Sequence, residues 1–267
     1  MPAKMSPVEA FLSDFHDARP GLTSKAFGEL PVTFRERELR SSYEILAAVV
    51  PYSKANIEVL DLACGDGYLL SLLASRSQPS LVLSGIDMSF SELAVAQRQL
   101  GDRVVLQQSK AQNLAFSNGH FDYVLCHLAL MLMDDAEQVV REIRRVLKPG
   151  ATLAAIVGAP PPQSPAFSAY IDAVSRCPRQ EHLSEVRFGD RRFRDRKGIS
   201  EIFSATFQQL AVEDVHIAQR LTPEALWRWF LDMYDLYLLS EADRHKVEFD
   251  FFLQSRHSVG QTESSNT

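Results

Sequence analysis

The sequence predicts an α/β protein built on a doubly wound, mostly parallel sheet, and three observations carry that expectation. Short apolar runs recur along the chain, segments with helical spacing separate them, and the runs are continuous rather than alternating in polarity. A strand that is apolar on both faces needs cover on both, which is the arrangement of a parallel sheet between layers of helices. The strands fall at residues 57–62, 81–86, 104–106, 121–126 and 152–157, with a sixth at 210–217. Helices at 68–76, 91–100 and 136–147 alternate with the first five strands, and "SKAQNLAF" is a short connection.

Outside that rhythm the chain divides into further segments. Residues 1–56 form a helical leader, with a helix over 34–50 that Pro51 ends. Residues 57–157 are the α/β core, and 158–257 are a cap insertion, the sixth strand and C-terminal helices. The prolines of "GAPPPQSPAF" interrupt regular structure before a helix at 167–176. In "TPEALWRWFLDMYDLYLLSEAD" Thr222 is the N-cap and Pro223 the first helical residue. Residues 241–255 read both ways: Val247, Phe249, Phe251 and Leu253 alternate as in a strand, whereas Ala242, His245, Phe249 and Phe252 fit a helix, which is the choice made here. The polar tail 258–267 is expected to be disordered.

Composition narrows the classes of partner. With 267 residues, 46% of them hydrophobic, the chain can bury one sizeable core. A net charge of -6 gives no general attraction to a polyanion, so a nucleic-acid partner is not expected. The stretch "VRFGDRRFRDRKG" holds six basic residues against two acidic ones and reads as a solvated loop. No segment approaches the roughly 20 apolar residues that span a bilayer, and the start "MPAKMSPVEAFLSDF" has no apolar core of a signal peptide. A cytoplasmic protein without a membrane partner is the expectation. Three scattered cysteines, Cys64, Cys126 and Cys177, form no CxxC pair, so reduced thiols rather than a disulfide framework or a metal site follow. The sequence carries no signal for an oligomeric state.

The chemistry-bearing stretch is "VLDLACGDGYLL", residues 59–70. A dinucleotide fingerprint G-x-G-x-x-G fails here, because the third glycine position is Leu70 counted from Gly65 and Tyr68 counted from Ala63. What remains is D-x-A-x-G-x-G, with Asp61 at the end of the first strand and two glycines that let backbone approach a ligand. This loop, "GIDMS" with Asp87 placed 20 residues past Gly67, "FSNGHFDYVLCHLAL" and "EIRRVLKPGATL" follow in order. Together they resemble the class I S-adenosylmethionine-dependent methyltransferases, in the branch of quinone-biosynthesis and natural-product enzymes, over about residues 57–157. The resemblance implies a Rossmann-like sheet and S-adenosylmethionine as cofactor. It also implies methyl transfer to an oxygen, nitrogen or carbon of a small, largely apolar or aromatic acceptor. RNA or protein methylation and a non-catalytic binding module are the alternatives.

Site residues carried over from the resemblance are Asp61, Ala63, Gly65, Gly67, Asp87, Met88, Ala111, Gln112 and His127. Asp87 can accept from ribose hydroxyls, or be a helix cap. Met88 can pack on the adenine. Asp61 would hold the loop or meet the methionine ammonium, or be a buried carboxylate satisfied by loop amides. Relatives carry an acid where this chain has Lys110, which cannot accept a hydrogen bond. The adenine contact therefore passes to Ala111 or Gln112, with Lys110 pointing to solvent. Met131 stands near where relatives often have a histidine, and with Met133 it reads as pocket wall or core. His127 ends the fourth strand, as a proton acceptor or through its carbonyl alone. His16 is the second candidate catalytic group. Transfer from a sulfonium needs alignment and exclusion of water more than a strong base. Aromatic candidates for the substrate region are Phe11, Phe15 and Tyr43 of the leader and Trp227, Phe230 and Tyr234, which at spacings of three and four share one helical face or else are core.

Overall fold

The structure, a computed structural model, describes residues 5–159, 164–217 and 221–263. These fall into two compact units, one from 1–159 and 187–219, the other from 160–186 and 220–267.

The first unit opens with α1 (Pro7–Ala18), α2 (Leu22–Phe27), the strands β1 (Val32–Phe34) and β2 (Arg37–Leu39), and α3 (Ser42–Val49). It continues through β3 (Ile57–Leu62), α4 (Tyr68–Ala74), β4 (Leu81–Asp87), α5 (Phe90–Leu100), β5 (Val104–Gln108), β6 (Phe121–His127), α6 (Ala136–Val146) and β7 (Leu147–Ile156). The strands β3 to β7 form a parallel sheet in the order β5-β4-β3-β6-β7. Both faces are apolar, as the continuous runs require. Leu60, Leu62, Val124 and Cys126 pack under α6 with Val139, Val140 and Ile143, while Val59, Leu83 and Leu125 pack under α3, α4 and α5 with Leu46, Leu70 and Ala96. The sheet reverses its winding between β3 and β6, and in such sheets the crevice beyond the carboxyl ends at that switch point receives ligands.

Four differences from the sequence expectation have physical causes. The helix expected over 34–50 is shortened to α3, because Arg35 and Glu36 adopt positive φ and turn β1 into β2. The sixth strand shrinks to β8 (His216–Ile217), which pairs with β1 in a separate small sheet rather than extending the main one. Residues 187–217 return to the first unit, since α8 (Arg196–Ser204) and Phe193 bury Ile202, Phe203 and Phe193 against the face under α6. The basic stretch is not simply solvated: Arg192 pairs with Asp190 and Glu137, Arg196 with Asp214, and Lys197 with Glu201.

The second unit contains α7 (Pro165–Ser175), α9 (Pro223–Phe230), α10 (Tyr234–Tyr237) and α11 (Glu241–Glu263). Thr222 caps α9 by accepting from the Ala225 N–H at 3.2 Å. In α11 Val247 and Phe251 are buried one turn apart while Phe249 and Leu253 are exposed, so apparent strand alternation is a helix with one buried face. The helix reaches Glu263 through part of the expected tail, and residues 264–267 lie outside the described residues. Among the described residues no helix is long and apolar enough to cross a membrane. All three cysteines are free and buried.

Candidate cofactor and methyl-transfer site

The glycine loop joins β3 to α4. Gly67 has φ +81°, and a Cβ there would meet Leu100 Cδ1 at 2.8 Å and Ala96 Cβ at 3.0 Å, so α5 packs against the loop only because this residue has no side chain. Ala63 also takes a left-handed φ of 59°, a conformation that costs an alanine about 1 kcal/mol. The loop is tied to the next strand by Asp87, which ends β4. The Gly65 N–H donates to Asp87 Oδ2 at 2.9 Å and the Ser89 N–H to Oδ1 at 2.9 Å. Burial raises the Asp87 carboxyl above its ordinary value, and those two amides oppose the rise. The ribose reading and the capping reading of Asp87 thus share one geometry.

Asp61, the penultimate residue of β3, is 2% exposed, and burial, reinforced by the charges of Asp87 and Asp66, pushes its pKa up to about 8. Glu92 is equally buried and likewise raised by burial; it accepts from the Gly21 N–H at 2.8 Å and lies 2.9 Å from His16 Nδ1. A concentration of poorly hydrated carboxylates beside a glycine cradle suits a ligand with cationic groups, and S-adenosylmethionine carries a sulfonium and an ammonium. The residues present therefore fit that cofactor.

Across the switch point, β6 ends at His127. Its Nε2 lies 2.8 Å from Ser42 Oγ, and Tyr43 stacks on the ring with centroids 3.5 Å apart. Burial alone lowers the His127 pKa to about 3, so the imidazole is neutral at physiological pH and a weak proton acceptor. Burial and then Asp66, Asp61 and Glu92 raise the Tyr43 phenol well above its ordinary value.

The leader lies along these strand ends and bonds to four successive loops. Ser24 Oγ donates to Asp66 Oδ2 at 2.5 Å after β3, and Ser89 Oγ, after β4, donates to Asp17 Oδ1 at 2.6 Å. After β5 Lys110 Nζ donates to Glu9 Oε2 at 2.6 Å, and after β6 Asp134 accepts from Ser6 Oγ. Lys110 therefore does not point to solvent: Glu9 draws it back over the site. His16 is held in the same clasp by Glu92. Phe15 is buried and stacks on Phe11, with ring centroids 6.1 Å apart.

Other predicted site residues fall differently. Ala111 is buried in the core layer under α6, and Gln112 donates to the Asp134 carbonyl at 2.8 Å, so its amide braces two loops. Met88 is half-buried, and its carbonyl accepts from Gln108 Nε2 at 2.8 Å. Trp227 and Phe230 are buried in the second unit's own core, where Phe230 stacks on Tyr170 at 3.8 Å. Tyr234 starts α10 and shares no helix with them, because α9 ends at Phe230. Sequence reasoning missed Ser41, Ser42, Asp66 and Glu92. Glu92 stands three residues past Ser89, the spacing of a capping box; Ser89 does cap the Glu92 N–H at 3.1 Å, but the carboxylate turns to the leader instead.

A family model described as a methyltransferase domain matches residues 60–155. A demethylmenaquinone methyltransferase from Lactiplantibacillus plantarum is 37% identical over 114 residues, 41% of this chain and 48% of that protein. A 2-phytyl-1,4-naphtoquinone methyltransferase from Synechococcus elongatus is 39% identical over 118 residues, 42% of this chain and 50% of that protein. The chain thus spans about half the length of the curated relatives it matches. A chain from a complex containing the Haloferax volcanii Trm112 methyltransferase activator shares the fold with a TM-score of 0.51 at 20% identity, covering 76% of this chain and 77% of that one.

Proposed function

Residues 60–155 match a methyltransferase domain, and from that premise we propose that the chain is a class I S-adenosylmethionine-dependent enzyme that methylates an oxygen, nitrogen or carbon of a small, largely apolar or aromatic acceptor. The observation that carries this reading is the pairing of a glycine loop latched to Asp87 with buried carboxylates at the switch point of the sheet. The matched relatives act on quinones by name, which favours a planar, apolar acceptor.

S-adenosylmethionine, when bound, supplies an electrophilic methyl on sulfur. The protein's part is to hold and to shield. Asp87 is fixed at the end of β4, where its carboxylate can accept from ribose hydroxyls. Met88 would pack on the adenine, and Ala111 or Gln112, on the loop after β5, would make its polar contact. Asp61 faces the cationic end, and a cation near it favours the ionised carboxylate that burial disfavours. Ala63, Gly65 and Gly67 bring the loop backbone close. The leader, latched to four loops, keeps water from the strand ends, and displacement from a sulfonium gains most from alignment and a dry site. Phe11, Phe15 and Tyr43 of the leader are the proposed acceptor region, whereas Trp227 and Phe230 are core of the second unit. His127, neutral and buried, serves as a hydrogen-bonding group, and His16 as part of the clasp.

The test is calorimetric binding of S-adenosylhomocysteine to the full chain, followed by a labelled-cofactor screen against quinols, phenols and amines. Binding with transfer of label to an aromatic acceptor is the expected result. Absence of binding by folded protein overturns the reading.

A further inference from the structure

The acids at the end of β3 account for one half of an amino-acid-bearing ligand. Asp61, Asp66 and Glu92 suit its ammonium and sulfonium, but a carboxylate brought against that wall would be repelled. Beside the end of β6 lies the first turn of α3, where Tyr43 stacks on His127. Its N-cap, Ser41, gives no side-chain cap to the helix, and its Oγ has no hydrogen-bond partner although the residue is only 1% exposed. His127 lies against the same turn, bonded to Ser42 and stacked on Tyr43, and its Nδ1 is likewise buried without a partner in a residue 6% exposed. Buried polar atoms left unpaired are costly and uncommon in folded proteins. Two of them beside one helix N-terminus point to an anionic oxygen as their partner. Ser42 Oγ occupies Nε2 at 2.8 Å, so Nδ1 is the ring position left for a ligand, and it is a donor in the tautomer where Ser42 Oγ–H donates to Nε2.

We propose that Ser41, His127 and the N-terminal turn of α3 form the seat for the α-carboxylate of the methyl donor, with Ser42 as the residue that sets the His127 tautomer. This rests on the methyl-donor reading above. Tyr43, next in sequence, stacks on His127 and meets Tyr68, the first residue of α4, edge to face at 4.8 Å, which brings this turn beside the glycine loop that carries Asp66. The donor's zwitterionic end is then divided between acids from β3 and donors from α3 and β6.

Equilibrium binding of S-adenosylmethionine and of its decarboxylated form, which keeps the sulfonium and amine, separates the possibilities. Wild-type protein is expected to bind the decarboxylated form about tenfold to a hundredfold more weakly, the range for losing hydrogen bonds to a charged group. Ser41→Ala and His127→Phe are expected to weaken S-adenosylmethionine by about tenfold each while leaving the decarboxylated form unchanged. Ser41→Ala removes a hydroxyl that bonds nothing, so its melting temperature should match wild type and its binding can be read without a folding defect. Equal wild-type affinity for the two ligands, or variants that weaken both alike or neither, overturns the seat and leaves the donor reading standing. Failure of wild-type protein to bind either ligand overturns both.

Discussion

Asp61, Ser41 and His127 are polar groups buried at the strand ends of the first unit, whereas Trp227, Phe230 and Phe251 are rings buried inside the second. Both sets are almost fully shielded, yet they differ in what they lack. The rings satisfy one another: Phe230 stacks on Tyr170 and meets Phe251 edge to face at 5.6 Å. The polar set is unsettled, with a carboxyl raised to about 8 and two unpaired donors or acceptors. Burial alone therefore does not separate a binding site from a core. What marks the strand ends is several unmet polar groups gathered in one place, whereas the ring cluster leaves the single Tyr170 hydroxyl without a partner.

Four measurements can break or sharpen that contrast. The largest effect should come from Phe230→Ala, expected to cost about 3–5 kcal/mol in chemical denaturation as a large cavity opens in the second unit, with S-adenosylhomocysteine affinity unchanged. Loss of affinity at full stability would instead assign the ring to the site. Next, Asp87→Ala removes the acceptor for Gly65 and Ser89 and should weaken S-adenosylhomocysteine by roughly tenfold to a hundredfold in calorimetry.

Third is Asp61→Asn. The folded chain holds a proton on Asp61 up to about pH 8, while the unfolded chain releases it near its ordinary value of 3.8. Between those limits the native state binds more protons, so Asp61 lowers stability as pH rises. The asparagine variant escapes this: its melting temperature should exceed that of wild type by roughly 5 °C at pH 8, with the gap closing toward pH 4. Donor affinity should fall in the same variant, and a gap that stayed constant with pH would show that Asp61 is already ionised. The smallest effect is Lys110→Ala, which breaks a partly exposed ion pair with Glu9 and should cost about 0.5 kcal/mol.

The same contrast governs what was legible in the sequence. The five parallel strands are dominated by apolar runs, and burial on both faces leaves that mark on Ile57, Val59, Leu60 and Leu62 of β3. The glycine loop and Asp87 were legible because their spacing is local. The turn between β1 and β2 was not, because Arg35 and Glu36 occupy positions where glycine or asparagine usually signals a hairpin. Lys110 was misjudged because its partner, Glu9, lies 101 residues away, and no local pattern encodes that pairing. The aromatic spacing of Trp227, Phe230 and Tyr234 suggested one face, but α9 stops at Phe230. His127 was found by position, whereas its electrostatic character came from α3, a helix that looked ordinary in sequence.

The leader's bonds to Asp66, Ser89, Lys110 and Asp134 carry a mechanical consequence. Turns at the ends of parallel strands ordinarily fluctuate one by one, each with its own opening free energy. Here a single brace ties them together, so amide hydrogens around Gly65, Ser89 and Asp134 should exchange with deuterium as one cooperative block. Cutting any one tether would then loosen its neighbours as well.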